Sequence, residues 1–118
     1  MATFSGAVLS GSTNGKPIPV AATSTPGTLL HTAIAGDVGF DEVWIFASNV
    51  TGSAATLTIE FGGTSDPGDH IVKAYSLAAN SLPVPIVAGV RINGGLAVRA
   101  FSGTGSAINV TGYVNRVS

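Results

Sequence analysis

The chain has 118 residues, a formal net charge of −1, no cysteine and only 9% charged residues, against about 25% in an average soluble domain. That length holds one domain with one modest core, and the missing cysteines exclude disulfides and thiolate metal sites. Five scattered cations leave no electrostatic footprint for nucleic acid or for an anionic membrane surface.

Residues 1–27 hold Gly6, Gly11, Gly15 and Gly27, prolines at 17, 19 and 26, many Ser and Thr, and one charge, Lys16. Asn14-Gly15 is a turn signal, and Lys16-Pro17-Ile18-Pro19-Val20 should be extended because proline fixes φ and restrains the residue before it. Either this is a loose terminal tail or an arm that lies on a neighbouring subunit. Phe4, Val8, Leu9, Ile18 and Val20 are more apolar than a solvated tail requires, which favours the arm. Residues 28–118 then form the domain proper, and deleting residues 2–20 should weaken partner binding while leaving that domain folded.

From residue 28 the pattern has a period of two. Thr28–Thr32 is a short strand. Asp41–Asn49 is the strongest, with Val43, Ile45 and Ala47 on one face and Trp44 and Phe46 on the other; a strand apolar on both faces is buried twice, or buried once and engaged by a partner. Asn49–Ser53 reads as a turn, and Ala55–Phe61 alternates with Leu57, Ile59 and Phe61 inward and Thr56, Thr58 and Glu60 outward. The two strands are predicted to pair as an antiparallel hairpin. Gly62–Asp69 is a polar loop and His70–Leu77 a further strand, with at best one helical turn near Ser76–Asn80. Pro83–Val87 is extended and suited to a sheet edge. Asn93-Gly94-Gly95 turns the chain into the strand Leu96–Ser102. Ala107–Val117 closes the sequence, with Gly112 as a candidate bulge. Short strands with turns between them predict an all-β protein, an antiparallel β-sandwich or small jelly-roll-like barrel, with an extended N-terminal arm over residues 1–27.

Mean hydropathy is +0.46, and no membrane span accounts for it. The longest apolar stretch, Leu82–Val90, contains Pro83, Pro85 and Gly89, whereas a spanning helix needs about 20 apolar residues. The N-terminus has neither a basic region nor a continuous apolar one, so a secretory leader is not expected and the origin reads as cytosolic. The surplus points to a subunit that covers surface against copies of itself.

The polar inventory is thin. Two histidines, His31 and His70, are present, and no serine stands in a G-x-S-x-G context, so no enzyme is expected. Asp66, Asp69 and His70 are the densest set of ligand types, yet Asp-Pro-Gly-Asp is also a turn sequence whose carboxylates bond local N–H groups. A calcium site wants more oxygens than are near, so neither metal nor cofactor is expected. Gly62-Gly63, Gly94-Gly95 and Gly103-Thr104-Gly105 lack the following Lys-Ser/Thr or helix of a phosphate cradle. Asn49-Val50-Thr51 and Asn109-Val110-Thr111 match the glycosylation pattern by accident if no leader exists. Trp44, Phe46 and Tyr113 either pack or form an aromatic platform for a sugar or base. Arg91, Arg99 and Arg116 are either solvated or interface residues.

The runs Asp41–Asn49, Leu57–Gly63 and Val90–Phe101 and the ending Ile108–Arg116 resemble small virion structural proteins of tailed bacteriophages. The resemblance covers about residues 28–117 and carries no site residues over. It implies a non-enzymatic capsid decoration or cement protein on the head surface, a homotrimer that self-assembles in the host cytoplasm and binds the major capsid protein of the same virion. The alternative is a tail or tail-fibre component, receptor-binding through glycans. The candidate interface residues are Phe4, Val8, Leu9, Ile18, Val20, Trp44, Phe46, Arg91, Arg99, Phe101, Tyr113 and Arg116.

Overall fold

A computed structural model describes residues 3–118; residues 1 and 2 of the expected arm lie outside them. Among the described residues nine strands form: β1 (Phe4–Val8), β2 (Ile18–Pro19), β3 (Thr28–Thr32), β4 (Phe40–Asn49), β5 (Ala55–Phe61), β6 (His70–Leu77), β7 (Val84–Ile92), β8 (Ala97–Ser102) and β9 (Ile108–Val117). They lie in two antiparallel sheets, β1-β9-β4-β7 with β2 also on β9, and β3-β8-β5-β6. Setting aside the two-residue β2, successive strands exchange sheets everywhere except at the β5–β6 hairpin, in the order of a jelly roll, two interleaved Greek keys. The β-sandwich expected from the period-two pattern is thus present.

The inward residues build one core between the sheets: Val43, Ile45 and Ala47 of β4, Leu57 and Ile59 of β5, Val98 and Ala100 of β8, and Ile108, Val110 and Val114 of β9 are all within the buried cluster. The accessible surface is 5911 Å², close to the roughly 5,900 Å² expected of a compact 11.7 kDa monomer from surface scaling. The chain therefore closes its own core. Its positive hydropathy is carried partly by apolar residues left outside, among them Phe4, Val8, Val38, Ile71 and Leu82.

Four expectations are corrected. Residues 4–20 belong to the sandwich of their own chain: β1 pairs β9 over Phe4–Val8, β2 pairs β9 at Ile18 and Pro19, and Leu9, Ile18 and Val20 are 1%, 6% and 0% exposed. A large apolar side chain gains most where it leaves water completely, and the open side of the core between β9 and β3 takes all three. Deleting residues 2–20 is now expected to unfold the protein, since each lost core side chain costs about 2–5 kcal/mol; a retained cooperative melt in that variant would contradict it.

Secondly, β4 and β5 form no hairpin. β4 lies between β9 and β7, and β5 between β8 and β6. Both strands carry an apolar inner face, and stacking them across the core buries both. The crossing is fixed by Asn49, whose amide donates to the Ser53 and Leu77 carbonyls while its oxygen accepts from the Thr51 N–H. Thirdly, β6 continues to Leu77 and the chain turns at Asn80 (φ 51°) without a helical turn. Finally, Gly112 sits in an unbroken register opposite Ile45. It is a place of close approach, because a Cβ there would run into the Trp44 carbonyl.

Candidate functional site

Alternation along β4 and β9 puts Phe40, Glu42, Trp44 and Phe46 on the outer face of their sheet, opposite Val117, Asn115, Tyr113 and Thr111 respectively. β1 continues that face with Phe4, Gly6 and Val8, paired to Val117, Asn115 and Tyr113, and β7 adds Arg91 opposite Glu42. The Trp44 and Tyr113 rings are near-parallel, 12° apart with centroids separated by 6.1 Å. Trp44 Nε1 donates to Glu42 Oε1 at 3.1 Å, and Asn115 Nδ2 reaches the same oxygen at 3.5 Å. The Arg91 guanidinium lies 4.5 Å over the Phe40 ring, with Nε 3.8 Å from Glu42 Oε2. Between these groups runs a shallow groove of about 300 Å³ lined by Phe4, Phe40, Glu42, Arg91, Asn115 and Val117 among others.

This face gathers Phe4, Val8, Trp44, Phe46, Arg91 and Tyr113 from the sequence-derived candidates. The other six lie elsewhere. Leu9, Ile18 and Val20 are core. Arg99 and Phe101 stand on the outer face of the other sheet, where Arg99 Nη1 donates to the Gly27 carbonyl at 3.2 Å and Phe101 meets the His70 ring edge-on at 6.0 Å. Arg116 is spent on an internal ion pair. Phe40, Glu42 and Asn115 escaped the sequence reading, although their parity with Trp44 and Tyr113 would have found them.

That ion pair is the densest electrostatic feature. Arg116 donates from Nε to Asp41 Oδ1 at 2.7 Å and from Nη2 to Oδ2 at 2.9 Å. Oδ2 also accepts from the Ile34 N–H at 3.1 Å and from His31 Nε2 at 2.7 Å, while His31 Nδ1 accepts from the Ser10 N–H at 3.0 Å. Asp41 and His31 are 0% and 1% exposed. Burial pushes the Asp41 carboxyl up, but the hydrogen bonds from Arg116 and His31 and the Arg116 charge outweigh it and hold it below the ordinary carboxylate value. The same hydrogen bond raises Arg116. A buried His–Asp pair suggests half of a catalytic triad. Here, however, both ring nitrogens are engaged, so no lone pair is left to activate a nucleophile.

A second cluster lies across the other sheet. Glu60 points outward, as its parity predicts, yet it is fully buried. Its carboxylate accepts from Thr25 Oγ1 at 2.6 Å and from the Gly27 N–H at 2.7 Å, so the 25–27 segment covers it. Thr58 is buried likewise, accepting from the Ala74 N–H. His70 Nε2 is 4.0 Å from Glu60 Oε2 and its Nδ1 3.5 Å from Asp66 Oδ1. Asp66 instead accepts from Lys73 Nζ at 2.6 Å, a bond that lowers its pKa, and Asp69 accepts from the Ser65 N–H. Among the described residues no group of three or more His, Asp and Glu is placed to hold a metal ion. Replacing Glu60 with Ala should cost about 1–3 kcal/mol, because the buried Gly27 N–H loses its acceptor; urea unfolding checks this.

The fold and site define a jelly-roll β-sandwich with one aromatic sheet face. Comparison with protein families, curated proteins and solved structures finds no match.

Proposed function

We propose that the chain is a non-enzymatic structural subunit of a tailed-phage virion. In this reading it is a capsid decoration protein that assembles in the host cytoplasm, self-associates as a trimer and binds the major capsid protein on the head surface. The observation that carries the reading is the outer face of the β1-β9-β4-β7 sheet: Phe4, Val8, Phe40, Trp44, Phe46 and Tyr113 stand on a rigid, hydrogen-bonded support, and Glu42 and Arg91 face each other. Aromatic side chains and Arg on a stiff surface are the groups that anchor protein interfaces. Jelly rolls recur in viral capsid and lectin domains, which supports the assignment by analogy of fold.

The test is binding of purified protein to undecorated heads. Trp44→Ala combined with Tyr113→Ala should weaken binding by roughly thirtyfold or more, the scale of a lost anchor residue at about 2 kcal/mol, while the melting temperature changes little. Binding that survives both truncations would refute the assignment. Because the face carries few charges, the affinity should vary only weakly with ionic strength.

The second reading, a tail or tail-fibre receptor-binding component, is favoured by one detail. The near-parallel Trp44 and Tyr113 rings lie beside Glu42, Asn115 and Arg91, which could hydrogen-bond sugar hydroxyls. Quenching or enhancement of Trp44 fluorescence by a host glycan would move the assignment to the tail.

A further inference from the structure

The edges of the two sheets are not alike. A free strand edge is a template for another strand, and proteins blunt it with Lys, Pro, bulges or a covering loop. β6 carries Lys73 at its centre, and Ala74 there has φ 50° where the register with β5 shifts. β7 carries Pro85, a left-handed Gly89 (φ 74°) and two register shifts against β4. β3 is bulged and covered, since the Gly11 N–H donates to the Leu30 carbonyl and the Thr32 N–H to Ser10 Oγ. β2 contains Pro19 and follows Pro17. None of these devices occurs in β1. Phe-Ser-Gly-Ala-Val has no charge and no proline, its register with β9 is unbroken, and all five residues are exposed, Phe4 at 78%.

The free backbone groups of β1 can be assigned. Thr3 and Ser118 exchange both hydrogen bonds, at 2.8 and 2.9 Å. In an antiparallel ladder bonded and non-bonded pairs alternate, so Ser5 and Ala7 are bonded to β9 while Phe4, Gly6 and Val8 present N–H and C=O groups outward. We infer that β1 is a strand-pairing site whose occupant is β1 of a second copy, antiparallel, with the two-fold axis through Gly6. Phe4 then stands opposite Val8 of the partner subunit and Gly6 opposite Gly6 of the partner subunit. Each is a pair of outward-facing residues, so every free group of the edge finds a bond. The absence of charge in β1 leaves nothing to repel across the axis. Phe4 and Val8 meet on the aromatic face, which becomes continuous over both subunits. The contact is isologous and closes on itself. It gives an even number of copies: two by itself, six if joined to the three-fold association proposed above. The inference rests on the edge and not on the virion assignment, which concerns the capsid partner.

Sedimentation of the intact chain, with and without Gly6→Pro, tests it. The Gly6 N–H makes no bond to β9, so proline removes only the outward donor, and edge strands tolerate it. The expected result is an even-numbered oligomer for the native sequence and half that mass for Gly6→Pro, with the same circular dichroism. A monomeric or odd-numbered native protein, or a Gly6→Pro variant of unchanged mass, overturns the proposal. Gly6→Cys is the second probe. The chain has no other cysteine, and residues in a bonded antiparallel pair have Cα atoms about 5.5 Å apart, within reach of a short bifunctional thiol cross-linker. Treatment with that reagent should yield a covalent dimer at protein concentrations where Gly52→Cys, on an exposed turn, stays a single chain. Equal cross-linking of the two variants refutes the register. Failure of head binding with even-numbered assembly intact would count against the virion assignment alone.

Discussion

Replacing Asp41 with alanine is expected to lower the folding free energy by about 3–5 kcal/mol, the scale for breaking a buried ion pair from one side. In a domain of this size that corresponds to roughly 10–20 °C in melting temperature. The loss is large because the carboxylate is the shared acceptor for Arg116, the His31 Nε2–H and the Ile34 N–H. Removing it strands two donors away from water, although Arg116, at 34% side-chain exposure, can regain part of its hydration. The site also joins the two sheets, since His31 belongs to β3 and Asp41 and Arg116 to β4 and β9. The effect should depend on pH with a definite sign. A carboxyl held below its ordinary value, 3.8, stabilises the folded state fully above that value. The contribution is lost as pH falls through the lower folded value. Denaturant unfolding at a series of pH values should therefore show a constant gap between native protein and Asp41→Ala above about pH 5 and a narrowing gap below about pH 4. A gap of unchanged size at pH 3 would contradict the ionised, paired state.

Gly112→Ala is expected to cost about 3 kcal/mol, the upper range for overpacking. The new methyl would stand too close to the Trp44 carbonyl and would crowd the Ile45 Cα. Both belong to backbone held in the centre of the β4–β9 ladder, which cannot yield as a side chain does. Gly52→Ala is the control: a Cβ there meets nothing within 4 Å, and surface changes of this kind stay within about 0.5 kcal/mol. Melting curves of the two variants separate the outcomes; equal melting temperatures would show that the ladder at Gly112 can open at little cost. Gly112 also lies beneath the Trp44–Tyr113 pair, so its replacement should disturb the aromatic face before it disturbs the distant β6 edge.

Much of the site was legible in the sequence because strands alternate. Trp44 and Phe46 could be assigned to one face of β4 and Val43, Ile45 and Ala47 to the other without any structure. What covers the outer face of a strand is a different matter. Thr58 and Glu60 have the parity of solvated residues, and nothing within Ala55–Phe61 announces that Thr25 and Gly27, more than thirty positions earlier, cross over Glu60 and bond its carboxylate. The same limit applies to Arg116 and Asp41. Arg116 reads as an interface or surface charge until register places it opposite Asp41 in β9 and β4, on the inward side.

By itself the sequence determined the strand character of residues 28–118: the period of two, the glycine and proline punctuation and the two-layer packing that a set of one-sided apolar strands must adopt to leave water. The tertiary structure alone decided the partners. It placed β4 and β5 in opposite sheets, drew Leu9, Ile18 and Val20 into the core of their own chain, and left β1, among the described residues, as the one edge without a Lys, proline, bulge or cover. The reason is physical. Alternation is a property of neighbouring residues, whereas pairing, crossing and coverage are choices among distant segments, settled by which arrangement buries the most apolar surface while leaving no buried donor without an acceptor.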